Sequence, residues 1–291
     1  MELSKKRISV KFNLGQGEFG TDLGPDVLLK GYRCSAEISN VCLGVGSKLA
    51  LRIYGIPPLI MNKLSTLGMT QSLMSKNKVS VLAGDSNGMQ QVFSGTIFSA
   101  YADYSAQPDV HLVVDANAGF FEQISYVPPT MLPGDVEVAK VIESIANQIG
   151  WTFVNRGVTT VISDVYADGS PIEQLRYLAK AANIACSLDN DCVTIWPNGV
   201  SPTDEIISIS PETGMIGYPA FSSGGIVVRH LFDPRIHVGG QVQVDTSVPQ
   251  ASGLFNVHLM QHQLSSETPD GPWITTLFMN DSKIFAKGGS F

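Results

Sequence analysis

Charged side chains are scarce. Lys, Arg, Asp and Glu make up 15% of the chain and apolar residues 44%, where an average soluble domain is roughly 25% charged. So bare a surface either aggregates or is covered by partners, and covering is expected here. The 19 basic and 26 acidic residues give a net charge of −7. Basic clusters such as Lys5-Lys6-Arg7 are short, which excludes the extended cationic footprint of a nucleic-acid-binding protein. No apolar run approaches the ~18 residues of a membrane span, and the N-terminus MELSKKRISVKF lacks a signal peptide's apolar core. Synthesis in the cytoplasm, without a membrane span, is expected.

Chemistry-bearing motifs are also scarce. Cys34, Cys42, Cys186 and Cys192 show neither CxxC spacing nor clustered histidines, so no metal site is expected. Cys186 and Cys192 flank Leu188-Asp189-Asn190-Asp191 and would face each other across a hairpin, although four small buried thiols are the plainer reading. His258 and His262 fall on a strand-like segment, which separates them by ~13 Å. No GxSxG precedes a helix, and no cysteine stands in an activating motif. The acid pairs Glu137 with Glu143 and Asp189 with Asp191 fall on a helix surface and in a turn. Gly15-x-Gly17 and Gly44-x-Gly46 lack the strand-loop-helix setting of a phosphate cradle. No catalytic residue and no cofactor are expected.

What the chain does have is alternation. Ile8–Asn13, Ala36–Val41, Leu49–Tyr54, Lys78–Ala83, Gln91–Ala102 and Val110–Asp115 read as strands, several with the period of a half-buried sheet, which suits an antiparallel barrel or sandwich. One helix is expected over Pro58–Leu67, stopped by Gly68. From about Ala118 the period changes. Asp135 is expected to cap a helix bearing Val138, Ile142, Ile145 and Ile149, ended by Gly150. A second helix opens on Ser170-Pro171-Ile172-Glu173, a capping box with Pro at the first helical position. Aligned 33 positions apart, Ile142 falls on Leu175, Ile145 on Leu178, Ala146 on Ala179 and Gly150 on Asn183, which suggests a repeated helix-strand element. Alternation returns from about Ile206, in Gly225–Leu231, Gln241–Asp245, Leu254–Gln263 and Trp273–Met279. The expected class is α+β, mainly β: a β domain over 1–117, an α+β insert with two helix-strand units over 118–200, and a second β domain with its tail over 201–291. Each β domain closes on a long hairpin with a Pro-Asp corner, Pro108-Asp109 in the first and Pro269-Asp270 in the second. Such a duplicated pair would let three chains imitate a ring of six.

In that order and spacing the chain resembles the baseplate hub proteins of contractile phage tails, the family of the late-control D, Mu-like and T4-like hubs. The resemblance rests on Lys78-Val79-Ser80-Val81-Leu82-Ala83-Gly84, then Val92-Phe93-Ser94-Gly95-Thr96-Ile97 and Pro108-Asp109-Val110-His111-Leu112. It continues through the two helix-strand elements, Asp233-Pro234-Arg235-Ile236-His237-Val238-Gly239-Gly240-Gln241-Val242, Val257-His258-Leu259-Met260-Gln261-His262 and Gly271-Pro272-Trp273-Ile274-Thr275-Thr276-Leu277. It implies two tube-protein-like antiparallel β-barrels joined by smaller domains, and a homotrimer forming a pseudo-sixfold ring between the sixfold tail tube and the threefold spike. The implied location is the tail baseplate of the virion. Implied partners are further copies of the chain, the tail spike protein and the tail tube protein, with the tape-measure and baseplate wedge proteins as further candidates. Pro108, Asp109, Pro269, Asp270 and Trp273 are the expected partner contacts. The alternatives are a carbohydrate- or receptor-binding module at the tail tip with Tyr101, Tyr104 and Trp273 as its platform, the hub of a related contractile injection system, and a cell-wall hydrolase.

Overall fold

A computed structural model describes residues 5–20, 24–41, 46–65, 76–86, 88–105, 107–202 and 205–281. Among these residues strand accounts for 52% and helix for 14%, so the described part is mainly β, dominated by one large antiparallel sheet. Two compact units divide it: Met1–Ser39, Ser47–Phe121 and Gln261–Ile274 form the first, and Asn40–Gly46, Glu122–Met260 and Thr275–Phe291 the second.

The first unit contains β1 (Arg7–Asn13), β2 (Asp26–Lys30), β3 (Cys34–Val41), β4 (Lys48–Tyr54), α1 (Pro58–Leu64), β5 (Lys78–Asp85), β6 (Gly88–Asp103) and β7 (His111–Asn117). Pairing follows the order β3-β4-β7-β6-β5-β1-β2. Register explains why alternation was readable. Leu29 lies opposite Val10, Val10 opposite Val81 and Val81 opposite Phe93, so one inward row crosses four strands. Ala36, Leu51, Val114 and Ala100 make a second row. All eight side chains are buried, and a register slip of one residue would turn each row to the other face. Burial also pushes the Cys34 thiol up to about 12, which leaves it a small hydrophobic filler.

Helix α1 ends at Leu64, short of the expected Leu67, while Leu67 and Gly68 lie outside the described residues, as do Cys42 and Gly44. The stop comes from Ser65, whose extended backbone leaves the helix while its hydroxyl donates to the Met61 carbonyl at 2.8 Å. Serine competes in this way for a helix's own acceptors.

The second unit opens with β8 (Thr130–Glu137), preceded by the short α2 (Phe120–Ile124), which begins in the first unit. It continues with α3 (Val138–Gln148), β9 (Thr152–Asn155), β10 (Val161–Ala167), α4 (Pro171–Ala181), β11 (Ile184–Asp189) and β12 (Cys192–Pro197). Strands β8 and β10 pair antiparallel, and β12 lies between β11 and β9. Two strand-helix-strand units thus share one core, with Ile142 and Leu175 both fully buried. Both helices leave through a left-handed residue at the aligned position, Gly150 at φ 75° and Asn183 at φ 52°, residue types that tolerate that conformation.

The capping box of α4 is complete: the Glu173 amide donates to Ser170 Oγ at 3.3 Å, and the Ser170 amide to Glu173 Oε2 at 2.8 Å. Ser170→Ala is expected to cost about 1 kcal/mol, read as a lower urea midpoint at unchanged slope. The other cap expectation is corrected. Asp135 lies inside β8 and accepts from the Ser163 hydroxyl of β10, while Glu137 occupies the N-cap of α3. The cysteine pair is corrected too. Asn190 and Asp191 form the two-residue turn, both at positive φ, so Cys192 faces Asp189 and Cys186 faces Ile195. Cys34, Cys186 and Cys192 are free thiols, Cys192 only partly buried.

After the insert come β13 (Ile207–Ile209), β14 (Met215–Ser222), β15 (Gly225–Leu231), β16 (Gln241–Val244), β17 (Gly253–Ser266) and β18 (Trp273–Asp281). Strand β14 pairs with β15, and β13 runs parallel to β16. Val228, Val242, Val244, Val257, Leu277 and Met279 lie in their common core. Strands β2, β8, β10, β13 and β14 were not expected. Strands β2 and β13 are only five and three residues long, β8 and β10 lack a regular buried face, and β14 carries a glycine-proline irregularity that breaks its alternation.

Candidate assembly surface

Antiparallel pairing brings chain-distant termini to one end of the first unit. Ile53 lies opposite Cys34, and His111 lies opposite both Tyr54 and Asp103. The start of β3, the end of β4, the end of β6 and the start of β7 therefore meet. There the Tyr54 and His111 rings stack at 4.8 Å, and the Arg33 guanidinium sits 3.8 Å above Tyr54, a cation–π arrangement. Arg33 also reaches the Asp109 carboxylate at 3.5 Å. His111 Nδ1 lies 3.0 Å from the Asp109 carbonyl, an oxygen that only accepts, so Nδ1 carries the proton.

Asp103 completes the cluster, with its carboxylate 4.0 Å from His111 Nε2. It accepts from the Ser105 hydroxyl at 2.6 Å and the Ser105 amide at 2.8 Å. These two hydrogen bonds, helped by His111, hold its carboxyl below the ordinary range. The sheet end is thus fastened beneath the exposed Pro108-Asp109 corner.

The second corner belongs to the same unit. The Ser266 hydroxyl donates to the Tyr32 carbonyl at 3.2 Å, so the neighbouring residues Tyr32 and Arg33 tie down both corners. Gly271 N donates to the Thr268 carbonyl at 3.2 Å, closing a four-residue turn with Pro269 second and Asp270, at φ 53°, third. Proline at the second position and a left-handed third residue are what a type II turn requires. Lys5 pairs with Glu267 at 2.6 Å. Pro269 and Asp270 are exposed.

Trp273 differs from the other four expected contacts. It is 8% exposed, with the Lys6 ammonium 5.9 Å from its ring, so most of its ring packs inside the subunit. Of the three platform aromatics, only Tyr101 and Tyr104 stand half exposed. Arg33, Tyr54, Asp103 and His111 were missed by the sequence reading. Only the short spacings Asp103-x-Ser105 and Asp109-x-His111 hinted at them, because Arg33 and Tyr54 arrive from other strands.

No group of three or more His, Cys, Asp or Glu is placed to hold a metal ion among the described residues, and no described helix is long and apolar enough to cross a membrane. Charge is divided unevenly. The first unit holds 11 basic and 11 acidic residues and the second 8 and 15, so the whole net charge of −7 lies in the second.

The sequence matches the family described as Baseplate hub gp41 over residues 7–277. No curated protein sequence matches. Among solved structures, the tail protein of Neisseria meningitidis MC58 is similar at TM-score 0.69 and 11% identity, over 97% of this chain and 98% of that one. The 43 kDa tail protein of prophage MuSo2 from Shewanella oneidensis follows at 0.65 and 8%, over 95% and 98%. A Francisella PdpA-VgrG complex is similar at 0.56 and 8%, over 96% of this chain but 58% of the other. These three likenesses are of fold. The family match spans nearly the whole sequence, and the chain belongs to the baseplate hub gp41 family.

Proposed function

We propose that the protein is a structural, non-catalytic hub subunit, three copies of which form a pseudo-sixfold ring between the tail tube and the tail spike in the virion baseplate. In this reading 1–117 and 201–291 act as two tube-like barrel domains and 118–200 as the insert between them. The family match over residues 7–277 carries the reading. The bare aromatic side chains are in keeping with it: Tyr218 is 75% and Phe221 63% exposed on the same strand, and a contiguous exposed apolar patch marks an interaction surface. The fold likeness to a VgrG complex also suits the hub of a related contractile injection system. A carbohydrate platform is less well supported, because burial of Trp273 removes its third ring.

The corners Pro108-Asp109 and Pro269-Asp270 are the proposed contacts with the adjoining ring or the spike. Asp270→Lys should weaken that contact by reversing a charge on an exposed turn, and because the backbone there is left-handed at φ 53° the lysine also costs the turn about 1 kcal/mol, too little to unfold the subunit. The test is co-purification of spike and tube proteins with the hub. The wild-type chain should bring down both at three copies per spike trimer, and Asp270→Lys should bring down less. Absence of both proteins from wild-type preparations would overturn the function, and unchanged recovery with Asp270→Lys would overturn the corner.

A further inference from the structure

Positive charge gathers at one place in the first unit. Lys5, Lys6, Arg7, Lys11 and Lys30 are five of its 11 cations, all on or beside strands β1 and β2. Three of them are engaged: Lys5 pairs with Glu267, Lys11 with Asp26 at 3.6 Å, and Lys6 lies over the Trp273 ring. Arg7 and Lys30, both exposed, meet no carboxylate among the described residues. Register sets their spacing. Ser9 lies opposite Lys30, so Arg7, two residues before Ser9, is the diagonal neighbour of Lys30 on the same outward face, roughly 7–8 Å away. On the other side of β1, Arg7 lies opposite Gly84 and Gly84 opposite Met89. The short side chain of Ser9 and the missing one of Gly84 leave room between the longer residues. A groove of about 410 Å³ results, lined by Lys5, Arg7, Ser9, Lys30, Met89 and Glu267 among others.

We propose that this groove holds an extended acidic segment of a partner protein, with two carboxylates two residues apart set against Arg7 and Lys30. The spacing fits: side chains two residues apart on one face of an extended chain are about 7 Å apart, close to the diagonal separation of the two cations. The charge fits as well. Two cations at that distance repel each other, and Glu267, the acid at the rim, is already held by Lys5. A carboxylate pair in the groove removes the repulsion, while the aliphatic stems of Arg7 and Lys30 and the half-buried Met89 offer apolar contact to the segment between. A nucleic acid would need a longer cationic track than two free side chains. The groove lies wholly in the first unit, so the inference depends neither on the three-copy ring nor on the corner at Asp270.

Fluorescence anisotropy on the full-length chain at low salt tests this with three labelled probes: a peptide of alternating glutamate and serine, its counterpart of alternating lysine and serine, and a single-stranded oligothymidylate. The glutamate peptide should bind the wild-type chain and the lysine peptide should not. Arg7→Gln and Lys30→Gln should each weaken that binding about threefold, and the double variant about tenfold. Lys63→Gln removes an exposed cation of α1 in the same unit and should leave binding unchanged. Because Arg7 and Lys30 are exposed, the variants' urea midpoints should stay within about 0.5 kcal/mol of wild type. Failure of the wild-type chain to bind the glutamate peptide would overturn the proposal, as would an equal loss with Lys63→Gln. Tighter binding of the oligothymidylate, lost with the same two substitutions, would overturn it in favour of a nucleic acid.

Discussion

Gly225→Ala is expected to destabilise the second unit by roughly 3 kcal/mol or more. Gly225 opens β15 at φ 132°, and a Cβ built there would stand 2.1 Å from the Met279 carbonyl oxygen and 3.1 Å from Asn280 Cα. Both obstacles are backbone of β18, so neither can rotate away. Moving them breaks strand pairing, and leaving them forces Gly225 off the position where it closes the β14–β15 hairpin opposite Ser222. Edge strand β14 hangs on that hairpin. The variant should therefore show a lower unfolding midpoint in urea. A midpoint within about 0.5 kcal/mol of wild type would contradict this packing.

The second large effect lies in the insert. Leu175→Ala should cost about 2–5 kcal/mol, because Leu175 is fully buried in the core that α3 and α4 share. Ile142 occupies the equivalent place in the other strand-helix-strand unit and is as deeply buried, so Ile142→Ala should cost a similar amount. Urea unfolding followed by tryptophan fluorescence reads both, since Trp151 lies in the same core. A strong asymmetry between the two would mean that the repeat is one of sequence pattern only. Both losses should exceed the Ser170→Ala effect, because a cavity forfeits many contacts where a missing cap forfeits one hydrogen bond.

Where side-chain period and local chemistry agree, the sequence was legible. Val10, Phe12, Val79 and Val81 alternate because one face of their strands is buried, and Ser170-Pro171-Ile172-Glu173 contains every group its cap uses. The cap of α3 was misread because Asp135 is the more usual capping residue, yet its carboxylate serves a cross-strand bond to Ser163. Short strands such as β13 are set by their partners, in this case a parallel pairing with β16 that no local pattern announces. The candidate surface was half legible. Pro108-Asp109 and Pro269-Asp270 stand out as turn chemistry, but the Arg33-Tyr54-His111 stack beneath the first depends on pairing between β3, β4 and β7. Nor did spacing show that both corners belong to one unit, since Gln261–Ile274 joins the first unit from the far end of the chain.

The scarcity of charge has a structural counterpart in this account. Leu28, Tyr218 and Phe221 are bare in the isolated subunit and sit on strands that end the sheet. In the proposed hub, further copies or neighbouring tail proteins would cover them. Light scattering on the purified full-length chain, alone and with the spike protein, tests this most directly. The account predicts three times the 31.2 kDa subunit mass, stable on dilution and retained in the spike complex. A mass that stays at one subunit at every concentration, with and without spike, would contradict it.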